Sequence, residues 1–235
     1  MYKRQINNVS PSDTNLGSYG SNSQIAYISL NNVSLTEAQY NATNNKITNT
    51  GLFVNNVVNA DALSISQDTK VSQIKLASNP SQISEIYSGS NAITFASNLD
   101  KIYNQDGSNT KIAISNVTSV SDAYTLALDA NVASVALTAA PSTPLNLSYF
   151  GTAVSTYQST LQTAMNKISF SGVYPPQALQ VAINGVTAIT DAIALANVSD
   201  VSSVTMVTNG LYRETYTGQI SSGSCLLYTS PSPRD

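Results

Sequence analysis

The sequence predicts an α/β fold in which helices and strands alternate as structural repeats. Residues 117–137 (VTSVSDAYTLALDANVASVAL) align without a gap with residues 186–206 (VTAITDAIALANVSDVSSVTM), and a looser copy, NADALSISQDTKVSQIKL, occupies residues 59–76. Each copy has an Asp-Ala pair, a short run with helical apolar spacing and a β-branched strand. Such repetition is typical of arrays whose units bury their apolar faces against their neighbours.

Apolar and polar residues alternate in the strand that ends each copy. The apolar side holds Ile74, Leu76, Val135, Leu137, Val204 and Met206, and the other side holds Gln73, Lys75, Ser134, Ala136, Ser203 and Thr205. A period of two predicts a sheet with one buried and one open face. Strands separated by helices need right-handed crossovers, so we predict a mainly parallel sheet covered by helices on one face, a solenoid compatible with leucine-rich-repeat-like curvature. A doubly wound domain would have central strands apolar on both sides.

Both ends of the chain differ from the rest. Residues 1–5 (MYKRQ) and 225–235 (CLLYTSPSPRD) resemble translated sequencing-adapter DNA in its two orientations, with a disordered basic head and a Ser/Pro tail as the alternative. Sequence of adapter origin is no part of a fold. We therefore expect the native sequence to run from residue 6 to residue 224, as an internal piece of a longer chain of metagenomic origin.

The first repeat is predicted over residues 24–78. Residues 6–23 before it are rich in Asn, Ser and Gly and predict a loop or a damaged repeat edge. The strand IAYISL opens the repeat, and Ser34 with Glu37 fits a capping box at the start of a helix. A second strand begins at Leu52 and leads into the looser copy of the repeated stretch.

The second repeat is predicted over residues 79–140. It begins with a loop that holds one short apolar element around Ile83 and Ile86. One face of a helix is predicted from the spacing of Phe95, Leu99, Ile102 and Tyr103. The strand KIAIS and the clearest copy of the repeated stretch follow.

The third repeat is predicted over residues 141–207. Helical spacing extends from Phe150 to Ile168 and predicts a helix of about five turns. An insertion that contains Pro175 separates two further strands, and residues 208–224 are interpreted as the truncated start of another repeat.

One aspartate stands near the start of each short helix, namely Asp61, Asp122 and Asp191. An aspartate at a helix N-cap accepts hydrogen bonds from unpaired N–H groups and stabilises the helix by about 1 kcal/mol. We therefore predict that all three are structural helix caps. A calcium site would need several oxygen ligands close together, and these residues have no acidic partner at loop spacing.

Composition argues against several function classes. The chain has no histidine, its single cysteine is Cys225, and its lysines lie in no recognisable motif, so serine and cysteine triads are not expected. Only 10% of the residues are charged and basic clusters are absent, which argues against nucleic acid. No apolar run has the length of a membrane span. We predict no enzymatic activity, no cofactor, no metal, no nucleic-acid partner and no membrane span in this fragment.

The stretches LTEAQYNATNNKI, VSDAYTLALDANVASVALTAA and ITDAIALANVSDVSSVTM resemble degenerate repeats of very long secreted bacterial surface proteins, described as adhesin-like, S-layer-like or RTX-associated. The resemblance implies an extracellular or cell-surface location and a stalk, matrix or adhesive array, in which neighbouring repeats of the same chain are the partners. It implies no site residues.

Three functions are compared. The preferred one is a non-catalytic structural or adhesive repeat segment. The alternative is a module that binds a surface glycan or protein through the open polar sheet face, with contacts from Gln73, Lys75, Ser134, Ser203 and Thr205. A polysaccharide-acting enzyme on a solenoid scaffold would need a charged cleft, for which the sequence gives no sign.

Overall fold

The computed structural model describes residues 4–48, 51–89, 91–151, 153–170 and 179–207, and the backbone of residues 215–217. The insertion with Pro175, residues 225–235 and most of residues 208–224 lie outside this part of the chain. The chain divides into two compact units, one of Met1–Ala140 with Asn166–Pro176 and one of Pro141–Met165 with Gln177–Asp235.

The described residues form both strands and helices, and several strands follow one another with no helix between them. The strands are β1 (Arg4–Val9), β2 (Ile25–Leu35), β3 (Gly51–Val57), β4 (Val71–Leu76), β5 (Ile83–Ile86), β6 (Ile102–Tyr103), β7 (Ile112–Val117), β8 (Val132–Leu137), β9 (Leu145–Ser148), β10 (Ile168–Phe170), β11 (Val181–Val186), β12 (Val201–Met206) and β13 (Thr215–Thr217). The helices are α1 (Leu16–Ser21), α2 (Glu37–Asn44), α3 (Ala62–Ser66), α4 (Ala92–Leu99), α5 (Val120–Ala127), α6 (Val154–Met165) and α7 (Ile189–Ala196).

These strands form three mainly parallel sheets. Sheet A has the order β1-β2-β3-β4-β6, sheet B the order β10-β8-β7-β5, and sheet C the order β13-β12-β11-β9. Among the paired strands, only β12 and β13 are antiparallel. The predicted α/β class and the mainly parallel pairing are confirmed, although the described strands form three sheets and not the one sheet that was predicted.

Two strands return to a sheet that the chain has already left. After β5 the chain forms α4 and then β6, which pairs with β4 in sheet A, whereas β7 pairs with β5 in sheet B. In the same way β9 belongs to sheet C, β10 pairs with β8 in sheet B, and β11 pairs with β9. We call β5 and β9 opening strands and β6 and β10 returning strands. Residues 83–137 then form the first module and residues 145–206 the second.

The short helices pack most of their predicted apolar positions inward, although Ala192 of α7 is only half-buried. Ala62 and Ile65 of α3, Leu126 of α5 and Leu195 of α7 are at most 1% exposed. Full burial of each large aliphatic side chain contributes about 1.5–3 kcal/mol. The strands that follow these helices bury the predicted apolar side, with Met206 only half-buried. Packing against the strands therefore holds helices that are too short to be stable alone.

Four strands end in the same irregularity. Asn8, Asn56, Asn116 and Gly185 have φ between 57° and 84° and precede the last residue of β1, β3, β7 and β11. The register shifts at each of these places, as it does at a β-bulge. Asparagine and glycine tolerate this left-handed conformation better than other residues. The sequence signal is an NNV, SNV or NGV triplet at the strand end.

The predicted capping box is wrong by two residues. β2 continues to Leu35, so Ser34 lies inside a strand. The helix α2 is capped by Thr36, whose hydroxyl accepts from the Gln39 N–H at 3.4 Å, while Gln39 Oε1 accepts from the Thr36 N–H at 3.1 Å. The motif is of the predicted kind, because Thr and Gln can replace Ser and Glu in it.

Three further predictions differ from the structure. Residues 6–23 contain most of β1 and all of α1 instead of a loop. The predicted helix through Tyr103 ends at Leu99, and Ile102 and Tyr103 form β6 because the Lys101 carbonyl accepts from the Ile74 N–H at 2.7 Å. The long helix spans only Val154–Met165, with Phe150 before it 88% exposed.

Candidate functional site

The five predicted contact residues lie on three different sheets. Gln73 and Lys75 are on β4 in sheet A, Ser134 is on β8 in sheet B, and Ser203 and Thr205 are on β12 in sheet C. Four of them are half-exposed, whereas Thr205 is only 7% exposed. Thr205 pairs with Asn184 of β11 on one side and with Thr215 of β13 on the other. The prediction that Thr205 is an exposed contact residue is therefore wrong.

Sheet A carries a polar surface that includes two aromatic side chains. Strand register places Tyr27 beside Gly51, Phe53 beside Ser29 and Gln73, and Lys75 beside Tyr103. We call the outward residues of β2, β3, β4 and β6 the sheet A face: Tyr27, Ser29, Asn31, Gly51, Phe53, Asn55, Gln73, Lys75 and Tyr103. With strands about 4.8 Å apart, four strands span about 14 Å. Only Gln73 and Lys75 of this face could be predicted from the repeated stretch, because the other residues lie on strands outside its copies.

Two aromatic rings form the centre of the sheet A face. Tyr27 and Phe53 stack with centroids 4.7 Å apart and planes 4° apart. The Tyr27 ring also lies over Gly51, where a Cβ would come within 2.8 Å of it. Tyr27 remains 39% exposed. Only glycine at position 51 allows this ring to lie against the sheet, so the aromatic pair is a positioned surface feature.

Amide side chains next to the rings are held by cross-strand hydrogen bonds. Asn55 Nδ2 donates to Ser29 Oγ at 2.8 Å and to the Leu30 carbonyl at 3.0 Å. Asn56 Nδ2 donates to Asn31 Oδ1 at 2.6 Å, and Asn31 Nδ2 donates to Asn8 Oδ1. These bonds fix side chains that would otherwise lose rotamer freedom on binding a ligand. The sheet A face is thus largely preorganised.

Lys75 supplies positive charge at the far end of the sheet A face. It lies beside the turn at Asp106 and Gly107, with its Nζ 3.6 Å from where a Cβ on Gly107 would be. The pKa of Asp106 is lowered first by hydrogen bonds from the Ser108 hydroxyl and N–H, and to a smaller extent by Lys75. Among the described residues of this face, Lys75 is the only cation.

The corresponding face of sheet B is almost free of functional groups. Its outward residues, placed by register, are Ser84, Ile86, Ala113, Ser115, Ser134, Ala136 and Ser169. Ile86 is 67% exposed and is the one large side chain in this set. Small hydroxyl and methyl groups offer little contact area for a ligand. Ser134 therefore does not lie in a surface comparable to the sheet A face.

The three aspartates do not cap their helices through their side chains. Asp61 occupies the N-cap position of α3 but makes no capping bond there, and its carboxylate accepts from the Glu37 N–H of α2 at 3.0 Å. Ser119 caps α5, so Asp122 is the third residue of that helix, and Asp191 has the same place in α7. The capping prediction is wrong because the hydrogen-bond donors of these carboxylates lie in earlier elements of the chain.

Asp122 and Asp191 instead bind tyrosines that follow the opening strands. The Tyr87 hydroxyl donates to Asp122 Oδ2 at 3.0 Å, and the Tyr149 hydroxyl donates to Asp191 Oδ2 at 3.0 Å. Both tyrosines are buried, and burial, reinforced by the aspartate, raises the pKa of Tyr87 to about 12. The edge contacts of these rings also match, with Tyr87 to Phe95 at 5.1 Å and Tyr149 to Tyr157 at 5.2 Å. Each bond ties an opening strand to a helix of its own module.

Four lysines donate to carbonyls at the C-terminal end of a helix or within three residues after it. Lys101 Nζ donates to the Ser66 carbonyl at 2.7 Å, and Lys167 Nζ donates to the Asp129 carbonyl at 2.7 Å. Lys70 and Lys111 make similar bonds to the carbonyls of Ile47 and Ala130. A cation at this end of a helix also meets the negative end of the helix dipole. Three of these lysines directly precede an isoleucine at the start of a strand, and this Lys-Ile pair is the sequence signal for the contact.

Glu85 is a buried carboxylic acid on the opening strand β5. It is 8% exposed and points inward between Ile83 and Tyr87. Its Oε1 has no hydrogen-bond partner within the described part of the chain. Burial raises the pKa of Glu85 to about 7. An inward charge on an edge strand discourages pairing with other chains, at a cost in stability.

In the described residues, no cluster of three or more acidic, histidine or cysteine side chains could hold a metal ion. None of the described helices is long and apolar enough to cross a membrane. Neither a protein-family model nor a curated protein sequence matches this chain.

Proposed function

We propose that this chain is a non-catalytic structural segment of a repeat array, in an extracellular surface protein of the bacterial adhesin-like or S-layer-like kind. The observation that carries the proposal is the pair of returning strands. β6 completes sheet A only after β5 has opened sheet B, and β10 completes sheet B only after β9 has opened sheet C.

This connectivity makes neighbouring modules depend on each other. Without β10, the edge of β8 would expose its backbone N–H and C=O groups, and exposed edges promote aggregation. Each module therefore supplies a strand that the preceding sheet needs. Arrays of this kind gain stability from contacts between nearest neighbours, so an added module strengthens the array. We infer a solenoid with helices on one face of its sheets, which agrees with the alternation of buried and half-exposed strand residues.

An extracellular location is supported by the resemblance to secreted surface repeats and by the outward residues. These are mainly serine, alanine and asparagine on sheet B and on the ends of the sheet A strands. A surface of this kind suits a spacer that is repeated many times without binding its own copies. Adhesion then needs only a few specialised faces within a long array.

Duplication of the second module tests the array. A second copy of residues 139–207 is inserted directly after Val207, so that its returning strand can reach β12. We expect the extended chain to unfold in one transition at a higher midpoint temperature than the parent, because one more nearest-neighbour contact is added.

The matched control carries Ile168→Pro in the added copy only, because proline removes a backbone donor and disfavours a paired strand. We expect the control to lose the gain in midpoint. Two separate transitions, or the same midpoint in the extended chain and its control, would contradict the array.

The second candidate function is glycan binding by the sheet A face. The observation in its favour is the Tyr27 and Phe53 stack beside the fixed Asn55 and the half-exposed Gln73. The C–H faces of sugars pack on aromatic rings, while amides exchange hydrogen bonds with sugar hydroxyls. Such flat, polar surfaces with a few aromatic groups can bind with useful affinity when they are preorganised.

A glycan array followed by calorimetry tests this second candidate. We expect Phe53→Ala and Gln73→Ala to weaken binding of the selected neutral glycan, and Ser134→Ala on sheet B to leave it unchanged. The absence of any bound glycan on the array, or equal weakening by all three substitutions, would contradict it.

A further inference from the structure

The edge of β12 differs from the corresponding edges of β4 and β8. β4 is followed in its sheet by the returning strand β6, and β8 by the returning strand β10, both parallel. β12 is followed by β13, which is antiparallel and pairs Val204 with Tyr216 and Thr205 with Thr215. The third sheet thus carries a strand of opposite direction at the place where the other two carry a returning strand.

The chain position of β13 is that of an opening strand. β5 begins at Ile83 after β4 ends at Leu76, and β9 begins at Leu145 after β8 ends at Leu137. β13 begins at Thr215 after β12 ends at Met206, at a closely similar distance. Both β5 and β9 leave the preceding sheet and pair with a later strand. β13 instead folds back on the strand that precedes it.

The two returning strands share an initial Lys-Ile pair and a pattern of contacts. They read Lys-Ile-Tyr from Lys101 and Lys-Ile-Ser-Phe from Lys167. The Ile74 N–H of β4 donates to the Lys101 carbonyl at 2.7 Å, and the Val135 N–H of β8 donates to the Lys167 carbonyl at 2.8 Å. Each lysine ammonium also binds a carbonyl at the end of the helix that precedes the receiving strand.

The surroundings of β12 match what such a strand needs. Alignment of the repeated stretch places Val204 where β4 has Ile74 and β8 has Val135. Among the described residues, the last turn of the helix α7 contains no basic residue, as in α3 and α5, which receive Lys101 and Lys167 from the returning strands. A lysine from an incoming strand would likewise meet the negative end of the α7 dipole. The carboxylate of Asp200 lies directly before β12 and accepts from Gln162 Nε2 at 3.3 Å. A lysine at the start of an incoming strand therefore meets complementary charge.

We propose that the edge of β12 is an acceptor site for a parallel strand that begins with Lys-Ile, supplied by another module of the same kind. β13 occupies this edge as a displaceable antiparallel strand. The inference rests on the proposed array and adds to it the identity of the partner and the residues that receive it. Recognition combines main-chain pairing along β12 with one lysine contact at the end of α7, a form of β-strand addition.

A labelled peptide of residues 153–170, which contains α6 and β10, tests the acceptor site on the full chain by fluorescence anisotropy. Replacing Thr215→Pro and Thr217→Pro together removes β13 as a competitor, and we expect this variant to bind the peptide about tenfold more tightly than the parent chain. The control variant with Thr215→Val and Thr217→Val retains a strand-forming sequence and is expected to bind like the parent. Peptides with Lys167→Glu or Ile168→Pro are expected not to bind.

Amide hydrogen exchange identifies the edge that is used. Bound peptide is expected to slow exchange of the Val204 N–H in the proline variant. Equal affinity of the proline variant and the parent, binding of the Lys167→Glu peptide, or unchanged Val204 exchange would overturn the inference. If duplication of the module raises the unfolding midpoint while the peptide leaves Val204 unchanged, the array stands and the acceptor site is wrong. If duplication gives no gain, the array itself fails.

Discussion

The two modules share two side-chain contacts between distant elements but differ at three corresponding positions. Both have a tyrosine after the opening strand that binds an aspartate of the later helix, Tyr87 to Asp122 and Tyr149 to Asp191. Both also have a lysine before the returning strand that binds a helix-end carbonyl. The shared contacts join elements that are far apart in sequence. They are therefore the contacts that specify the connectivity.

Three corresponding positions differ between the modules. Glu85 of β5 corresponds to Leu147 of β9, two residues before the tyrosine in each case. The left-handed residue is Asn116 in one module and Gly185 in the other, and the residue before the later helix is Ser119 in one and Ala188 in the other. Substituting the residue of one module into the other at these positions tests how much each residue contributes to the stability of its module.

The largest effect is expected from Glu85→Leu, which places the residue of β9 in β5. Because burial raises the pKa of Glu85 from 4.5 to about 7, its charge costs about 3 kcal/mol above pH 7. Below pH 4.5 the carboxyl is protonated in both the folded and unfolded states, so stability should fall as the pH rises from 4.5 to 7. We expect the leucine variant to be about 3 kcal/mol more stable at pH 8 in urea unfolding.

The control for this prediction is Ser84→Leu on the outward side of β5, which should give no such gain. Glu85→Gln should remove the loss of stability between pH 4.5 and 7 that the parent chain shows. Parallel pH profiles of the parent and the glutamine variant would show that Glu85 does not titrate in this range.

The next effect is expected from Tyr87→Phe, which keeps the ring and its contact with Phe95 but removes the hydroxyl. A hydrogen bond to a charged group contributes about 1.5–3 kcal/mol, so the free energy of unfolding should fall by about 2 kcal/mol. Tyr149→Phe should act in the same direction in the second module. Tyr103→Phe on the sheet A face is the matched control and should have little effect. A loss of stability in only one of the two variants would show that the Tyr–Asp bond does not have the same role in both modules.

A smaller effect is expected at the left-handed residue. Asn116→Ala should lower the free energy of unfolding by about 1–2 kcal/mol, because alanine is strained at the observed φ of 63°. Asn116→Gly, which copies the second module, should cost less than the alanine variant because glycine adopts this conformation freely. Chemical unfolding of both variants checks the order. Equal costs would mean that the side-chain bond from Asn116 to the Tyr87 carbonyl, at 3.4 Å, matters more than the backbone conformation.

The smallest effect is expected from exchange of the helix caps. Ala188→Ser should supply the capping bond that α7 lacks and stabilise the chain by about 1 kcal/mol, and Ser119→Ala should destabilise it by a similar amount. Ala188→Thr should stabilise the chain in the same way. Thermal unfolding measures both directions, and a loss of stability in Ala188→Ser would show that the start of α7 is held in another way.

Most strands could be predicted because they depend on a local pattern. Alternation of apolar and polar residues located β4, β8 and β12 and the side that each buries. The returning strand β6 was missed because Ile102 and Tyr103 continue the helical spacing of Phe95 and Leu99, and only the bond to Ile74 makes them a strand. A segment of two residues has too little pattern of its own to oppose a neighbouring helix.

The roles of the aspartates and most of the sheet A face depend on long-range contacts. Asp122 and Asp191 have the residue type and the position near a helix start that predict a cap. Their actual partners are tyrosines that lie 35 and 42 residues earlier in the chain. Tyr27 and Phe53 become one surface feature only through the register of β2 and β3 and the space over Gly51. The NNV-type triplets are present in the sequence, but asparagine is so frequent in this chain that they do not stand out from it.

Native-state hydrogen exchange of the parent chain tests most directly whether the returning strands hold the sheets together. The Ile74 and Val135 amides donate to the carbonyls of Lys101 and Lys167. The Leu52 N–H, inside sheet A, donates to the Lys70 carbonyl at 2.8 Å and serves as the internal reference. We expect Ile74 and Val135 to exchange as slowly as Leu52, through the same global unfolding. Fast exchange of Ile74 and Val135 beside a protected Leu52 would show that β6 and β10 are loosely attached edges. This result would contradict the proposed array, in which the returning strands hold neighbouring sheets together.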